Sequence, residues 1–162
     1  MRSQRMSLIY ILYGDFMDIK DEISKRRKEK WFDVWFSIEA VGVTEDVVKT
    51  SLEKHVQKMS SLNSIFVYEK NFLEIKKLDK PFRGVENAYS YVVDVKFFAK
   101  NLTTLMGIVM TYGPSAIEIL GPDRYDISVS EAQDICNMLA GIVHQFAAAG
   151  IGGIVITPEG KK

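Results

Sequence analysis

Few side chains in this chain have types and spacings that suit chemistry. His55 and His144 are its two histidines and Cys136 its one cysteine. Cys136 stands two helical turns before His144 instead of one, and His55 has no second ligand three or four residues away, so no metal site is expected from spacing. A lone cysteine forms no internal disulfide and fits a reducing compartment; Cys136 reads as a small buried hydrophobe on a helix. Asp33, Glu39, Asp94 and Glu118 are carboxylates within strand-like stretches, where charges on a solvated sheet face are the ordinary outcome. Gly150-Ile151-Gly152-Gly153 follows a helical pattern instead of leading into one, so it is no phosphate cradle. No Walker-type Gly-Lys-Ser/Thr and no Gly-x-Ser-x-Gly occurs. No cofactor is implied. A small-molecule site is expected between the end of the helix at Tyr112 and the stretch from Glu118 to Tyr125. There Tyr112, Glu118 and Arg124 would supply the polar contacts.

Those residues need elements to hold them. The second half of the chain is the more legible. Ala88 to Lys100 places Tyr89, Tyr91, Val93, Val95 and Phe97 on one side, the period of a strand. Asn101 is a helix N-cap, and Leu102, Leu105, Ile108 and Val109 form the apolar stripe of a helix to Tyr112. Gly113 takes the left-handed position that ends such a helix, and Pro114 forbids its continuation. Ala116 to Leu120 is a short strand closed by Gly121-Pro122. Ser128 with Glu131, and Ser130 with Gln133, form overlapping capping boxes for a helix over 129–149. Its apolar face is Ile135, Leu139, Ile142, Val143 and Phe146. Ile154-Val155-Ile156 suggests one more strand.

The first half repeats the order. Trp31 to Val41 is a strand with Phe32, Val34, Phe36, Ile38 and Ala40 on one side. Thr44 caps a helix with Glu45 and Asp46 in its first turn, where the helix dipole favours carboxylates. Val48, Leu52, His55, Val56 and Met59 share its apolar stripe. Ser64 to Ile75 is rich in strand formers, with a bulge or hairpin turn expected near Lys70-Asn71. Lys76 to Asn87, containing Pro81 and Gly84, reads as a loop. Residues 1–29 are expected to be a helical or extended segment, with Asp15 as a cap, and Lys25-Arg26-Arg27-Lys28 as a solvated last turn.

Two strand–helix–strand halves followed by a helix predict an α+β fold, the ferredoxin-like βαββαβ plait. It would have a four-stranded antiparallel sheet in a single domain over 30–157, after an N-terminal segment 1–29. A chain of 162 residues buries roughly 70% of its unfolded surface. One face of the sheet has more apolar surface than two helices can explain. Trp31 and Trp35 fall on the row opposite Phe32 and Val34. Leaving two such side chains of ~200 Å² each bare would forgo about 10 kcal/mol at ~25 cal/mol per Å², an upper value. A further layer or a second copy should cover them, and a homodimer or higher homo-oligomer is expected.

The stretch Tyr89 to Phe146, through Leu102, Leu105, Ile108, Gly113-Pro114, Ala116, Glu118, Leu120 and Pro122, resembles the C-terminal extension domain that follows WYL domains in transcription regulators. Asp123-Arg124-Tyr125 stands where that pattern has Leu-Arg after the proline. The resemblance implies a ferredoxin-like fold and a regulatory or assembly role.

Charge excludes further classes. Lys plus Arg and Asp plus Glu number 21 each, so no global field attracts nucleic acid. No apolar stretch spans a membrane, and the six apolar residues of Leu8 to Tyr13 are too few for a signal peptide. The expectation is a cytoplasmic, non-enzymatic, self-associating module that senses a ligand or assembles. The alternatives are a small enzyme whose site forms at an oligomer interface and a plait binding single-stranded RNA. The RNA alternative requires Lys25–Lys30 and Trp31/Trp35 to share one open surface.

Overall fold

The structure is a computed structural model that describes residues 18–82 and 85–151. It is α+β: four helices and one five-stranded antiparallel sheet. Helix α1 occupies residues 18–28. Then follow β1 (Phe32–Gly42), α2 (Glu45–Ser60), β2 (Ile65–Phe72), β3 (Lys76–Phe82), β4 (Val85–Ala99), α3 (Leu102–Tyr112), β5 (Ala116–Gly121) and α4 (Val129–Ala148). By contacts the chain divides into two compact units, Met1–Tyr125 and Asp126–Lys162.

Helix boundaries follow the capping chemistry. Thr44 is extended and its side chain accepts from Val47 N; Asn101 does the same for Thr104 N, and Ser128 for Glu131 N. Each satisfies a first-turn N–H that has no partner within the helix. Gly113, at φ 54°, closes α3 with its N–H on the Val109 carbonyl.

The sheet runs β2-β4-β1-β5, with β3 also on β4. β4 is the long central strand. β1 pairs along it from Phe32 opposite Ala99 to Gly42 opposite Tyr89. β2 takes Val93 to Ala99 on the other edge, and β3 takes the earlier residues up to Ser90. β2 and β3 thus lie end to end along one edge, so the sheet is five strands by segment and four across its width.

One sequence expectation changes here, and of the bulge or hairpin turn expected within Ser64 to Ile75 the bulge is found. Lys76 to Phe82 is a strand where a loop was expected, and β4 starts at Val85. The ladder to β4 supplies the hydrogen bonds that local composition does not advertise, and Pro81 is tolerated because β3 has a neighbour on one side only among the described residues. No hairpin turn divides Ser64 to Ile75. The register instead shifts between Val67 and Glu69, a bulge at Tyr68.

The core lies between the sheet and α2 with α3. Phe36, Phe97, Val34, Val93 and Val95 from the strands meet Leu52, Val48, Val56 and Met59 of α2 and Leu105, Ile108 and Tyr112 of α3. Phe36 and Phe97 pack edge-on at 4.8 Å between centroids. Tyr125 closes one end against Phe32 at 4.5 Å.

In the second unit, α4 is the only helix among the described residues, and none of its residues is buried. The sequence pattern predicted a buried face; Leu139, Val143 and Phe146 are instead exposed, and so is Cys136, against the expectation of burial. Amphipathic periodicity records what a helix would bury, and among the described residues of its own unit α4 meets no second element to bury it against. The strand expected at Ile154–Ile156, and Leu8 to Phe16 with the cap at Asp15, lie outside the described residues. No helix among the described residues is long and apolar enough to cross a membrane.

Candidate functional site

The sheet face away from α2 and α3 carries the site. Side chains alternate along a strand, so β1 presents Asp33, Trp35, Ser37 and Glu39 there. Register adds Phe98, Lys96, Asp94 and Ser90 of β4 and Glu118 of β5. Ser90 donates to the Glu39 carboxylate across the β1–β4 pair.

Asp33 is the one carboxylate buried on this face, at 6% exposure. Tyr68 Oη donates to Asp33 Oδ1 at 2.7 Å. Arg27 Nη2 donates to Asp33 Oδ2 at 3.1 Å, while the Arg27 side chain stays 64% exposed. Both carboxylate oxygens therefore have donors, which a buried charge requires. Burial pushes the Tyr68 phenol well above its usual value, and its hydrogen bond to the Asp33 carboxylate adds to the rise. Tyr68 remains a protonated donor throughout the physiological range.

Local structure explains how three distant residues meet. Asp33 pairs with Phe98, and the Tyr68 ring lies over Phe98 with centroids 5.3 Å apart. The bulge at Tyr68 aims its side chain across β4 to reach Asp33 on β1. Phe98 is fully buried yet lies opposite the main core, in a small satellite under Tyr68.

Arg27 arrives by a helix-ending turn. Lys30 N–H donates to the Arg27 carbonyl and Trp31 N–H to the Arg26 carbonyl, with Lys30 at φ 57°. This is the Schellman closure, with lysine in the left-handed position that glycine usually takes. It folds Trp31 back under α1, where the Arg26 guanidinium sits 4.3 Å from the ring centroid. Arg26 is itself bonded to Glu22 and Glu29. Trp31 and Trp35 are both half-buried, so α1 supplies part of the cover that Trp31 requires.

Together Arg27, Trp31, Asp33, Tyr68 and Lys96 line a cleft of about 590 Å³ with Leu120, Gly121, Pro122 and Asp123. Lys96 is paired with Glu69 at 3.0 Å. The volume is that of a site for a small organic molecule. No group of three His, Cys, Asp or Glu among the described residues is placed to hold a metal ion.

The residues expected to form the ligand site are not gathered in one place. Tyr112 is buried in the core at the end of α3, its ring 4.8 Å from His55 and its carbonyl 3.3 Å from His55 Nε2. Burial pushes its phenol up as well. It lines a second, smaller cavity of about 260 Å³ with Ser51, His55 and Gly113. Glu118 is opposite Trp35 on the other sheet face, and Arg124 is exposed beyond Pro122. Asp33 and Trp31 were singled out in the sequence, but for other roles. Tyr68 carried no signal except the break in alternation nearby, and Arg27 was one of four basic residues in a row.

The sheet with α2 and α3, and all of the cleft lining but Arg27 and Trp31, lie in a stretch that matches a family model, the MJ0538 family, over residues 33–127. That is more than half of the chain. The chain belongs to the MJ0538 family. The family match begins at Asp33 and includes Tyr68, Lys96 and Phe98; α1 with Arg27, and α4, fall outside it. Among curated proteins, none matches this MJ0538-family chain.

Proposed function

We propose that the chain is a non-catalytic ligand-binding module that self-associates, built as a ferredoxin-like plait whose second strand is broken into β2 and β3. The carrying observation is the cleft over Asp33. A buried carboxylate there is held on both oxygens by Tyr68 and Arg27, which leaves a polar, aromatic-lined surface with no activated nucleophile among the residues lining it. Such a surface suits recognition more than turnover. The likeness of Tyr89 to Phe146 to the extension domain of WYL-containing regulators is in keeping with a sensing role.

Self-association draws its support from β5. This edge strand exposes Ile117, Ile119 and Leu120, apolar groups on both sides of a short strand with one side unpaired among the described residues. A second copy would bury them.

Native mass spectrometry of the purified chain tests both parts. The expected result is a dimer or larger homo-oligomer, and a retained or added small molecule lost on Arg27→Gln substitution. A monomer at micromolar concentration overturns the association. Ligand binding unaffected by Arg27→Gln and by Lys96→Gln overturns the cleft assignment.

A second reading, single-stranded RNA, is favoured by one observation: Arg27 of the basic run and Trp31 line the same open cleft. Against it, Asp33, Glu69, Asp94, Glu118 and Asp123 bring acids to the same face or its rim. A salt-dependent shift with a single-stranded oligonucleotide would favour it.

A further inference from the structure

We propose that the cleft over Asp33 binds a planar ring bearing a single negative charge, with the ring against Trp31 and the anion held by Arg27 and Lys96. This rests on the cleft being a ligand site and goes on to name the ligand's chemistry.

The argument starts from which hydrogen-bonding groups remain unspent. Asp33 is 8% exposed at its side chain and accepts from both Tyr68 and Arg27. It therefore presents little surface to a guest. Arg27 uses Nη2 on Asp33 and is otherwise open to solvent. Its planar fork keeps further N–H donors, already oriented by the buried carboxylate beneath it. Lys96 has three donors on its ammonium, and the Glu69 carboxylate can take two at most. The groups available to a guest are therefore donors on two cations, and these select an anion.

The aromatic half of the assignment comes from the walls. Trp31 is half-buried, fixed on one side by the Arg26 guanidinium, and still lines the cleft. A ring pre-ordered in this way offers stacking area at small entropic cost. The apolar turn Leu120-Gly121-Pro122 lines the same cleft. A flat guest can stack on Trp31, which a branched or polyhydroxylated one does less well.

The limit to one charge comes from the balance of the site. Arg27 is offset by Asp33 and Lys96 by Glu69, so the two pairs leave no net positive charge, and Asp123, which also lines the cleft, adds a carboxylate. A dianion such as a phosphate monoester would meet Asp123 without surplus positive charge to hold it. A monoanionic ring carboxylate meets half that repulsion, and the unspent N–H donors of Arg27 and Lys96 hold it through charge-assisted hydrogen bonds.

The test uses the full-length chain with Trp35→Phe, labelled with 15N, so that a single indole N–H resonance reports on Trp31. Benzoate is titrated beside benzamide, benzylammonium, cyclohexanecarboxylate and phenyl phosphate. Benzoate is expected to move the Trp31 resonance and to bind at least about tenfold more tightly than benzamide or benzylammonium. Cyclohexanecarboxylate and phenyl phosphate should each be weaker than benzoate. Lys96→Gln, an exposed substitution that leaves Asp33 paired, should erase most of benzoate's advantage over benzamide. Equal binding of benzamide or benzylammonium overturns the anion, and equal binding of cyclohexanecarboxylate overturns the ring. Tighter binding of phenyl phosphate overturns the single charge. If none of the five moves Trp31 but another small molecule does, the ligand class falls and the cleft remains a binding site. If no small molecule moves it, both fall.

Discussion

The Tyr68 hydroxyl reaches across β4 to donate to Asp33 Oδ1 at 2.7 Å, joining residues 35 apart in the chain. The bond closes a three-strand bridge over Phe98 and holds the one buried carboxylate of the open face. Replacing Tyr68 by Phe keeps the ring over Phe98 and removes the donor. The expected cost is about 1–3 kcal/mol, the penalty for leaving a buried acceptor unmet. Urea denaturation of Tyr68→Phe measures it. In an Asp33→Asn background the same substitution should cost less, because the charge that needed the donor is gone.

Alkaline stability should fall early. Burial raises the phenols of Tyr68 and Tyr112, and the Asp33 carboxylate raises Tyr68 further. The folded chain thus holds these protons more tightly than the unfolded chain does. Their contribution is complete below the unfolded tyrosine value of about 10 and is lost as pH rises from there through the raised folded values. Melting temperatures taken between about pH 8 and pH 11 should drop at the upper end. Tyr112→Phe should make that drop shallower, and a melting temperature that climbs over the same range would refute the assignment.

Lys30 holds a left-handed conformation at the end of α1. Glycine adopts that conformation without steric penalty, so Lys30→Gly should stabilise the chain by about 0.5–1 kcal/mol. Thermal or chemical denaturation gives the sign. Arg26 stacking on Trp31 should survive the change, which the Trp31 indole resonance would report.

Gly42 ends β1 where α2 passes close by. A Cβ built on Gly42 would stand 3.0 Å from Val48 Cβ and 3.2 Å from Val48 N. Val48 is buried in the core and Thr44 fixes the start of its helix, so neither can give way freely. Gly42→Ala should cost about 1–3 kcal/mol. An unchanged denaturation midpoint would show that α2 shifts to make room.

Asn101 accepts from Thr104 N at 2.9 Å. Asn101→Ala should destabilise by about 1 kcal/mol, whereas Asn101→Asp should preserve most of the cap. The comparison separates capping from any effect of the asparagine on β4.

Much of this fold is local and therefore legible in the letters. Thr44, Asn101 and Ser128 start their helices because a short side-chain oxygen next to a run of helix formers has one low-energy use, and Gly113-Pro114 ends α3 for an equally local reason. The alternation of Phe32, Val34, Phe36 and Ile38 likewise states which side of β1 faces the core. What tertiary structure alone decided is every feature whose partner lies far along the chain. Lys76 to Phe82 becomes a strand because β4 offers it a ladder, against the local evidence of Pro81. Tyr68 meets Asp33 only because the bulge and the β2-β4-β1 order carry it across Phe98. Arg27 leaves its solvated run because the turn at Lys30 brings α1 back to the sheet. Tyr112 and Glu118, near neighbours in the chain, end on opposite faces because α3 and β5 lie in different layers. Short-range hydrogen bonds are written in adjacent residues; which side chains share a cleft depends on strand order and register, and these are settled by the packing of the whole sheet.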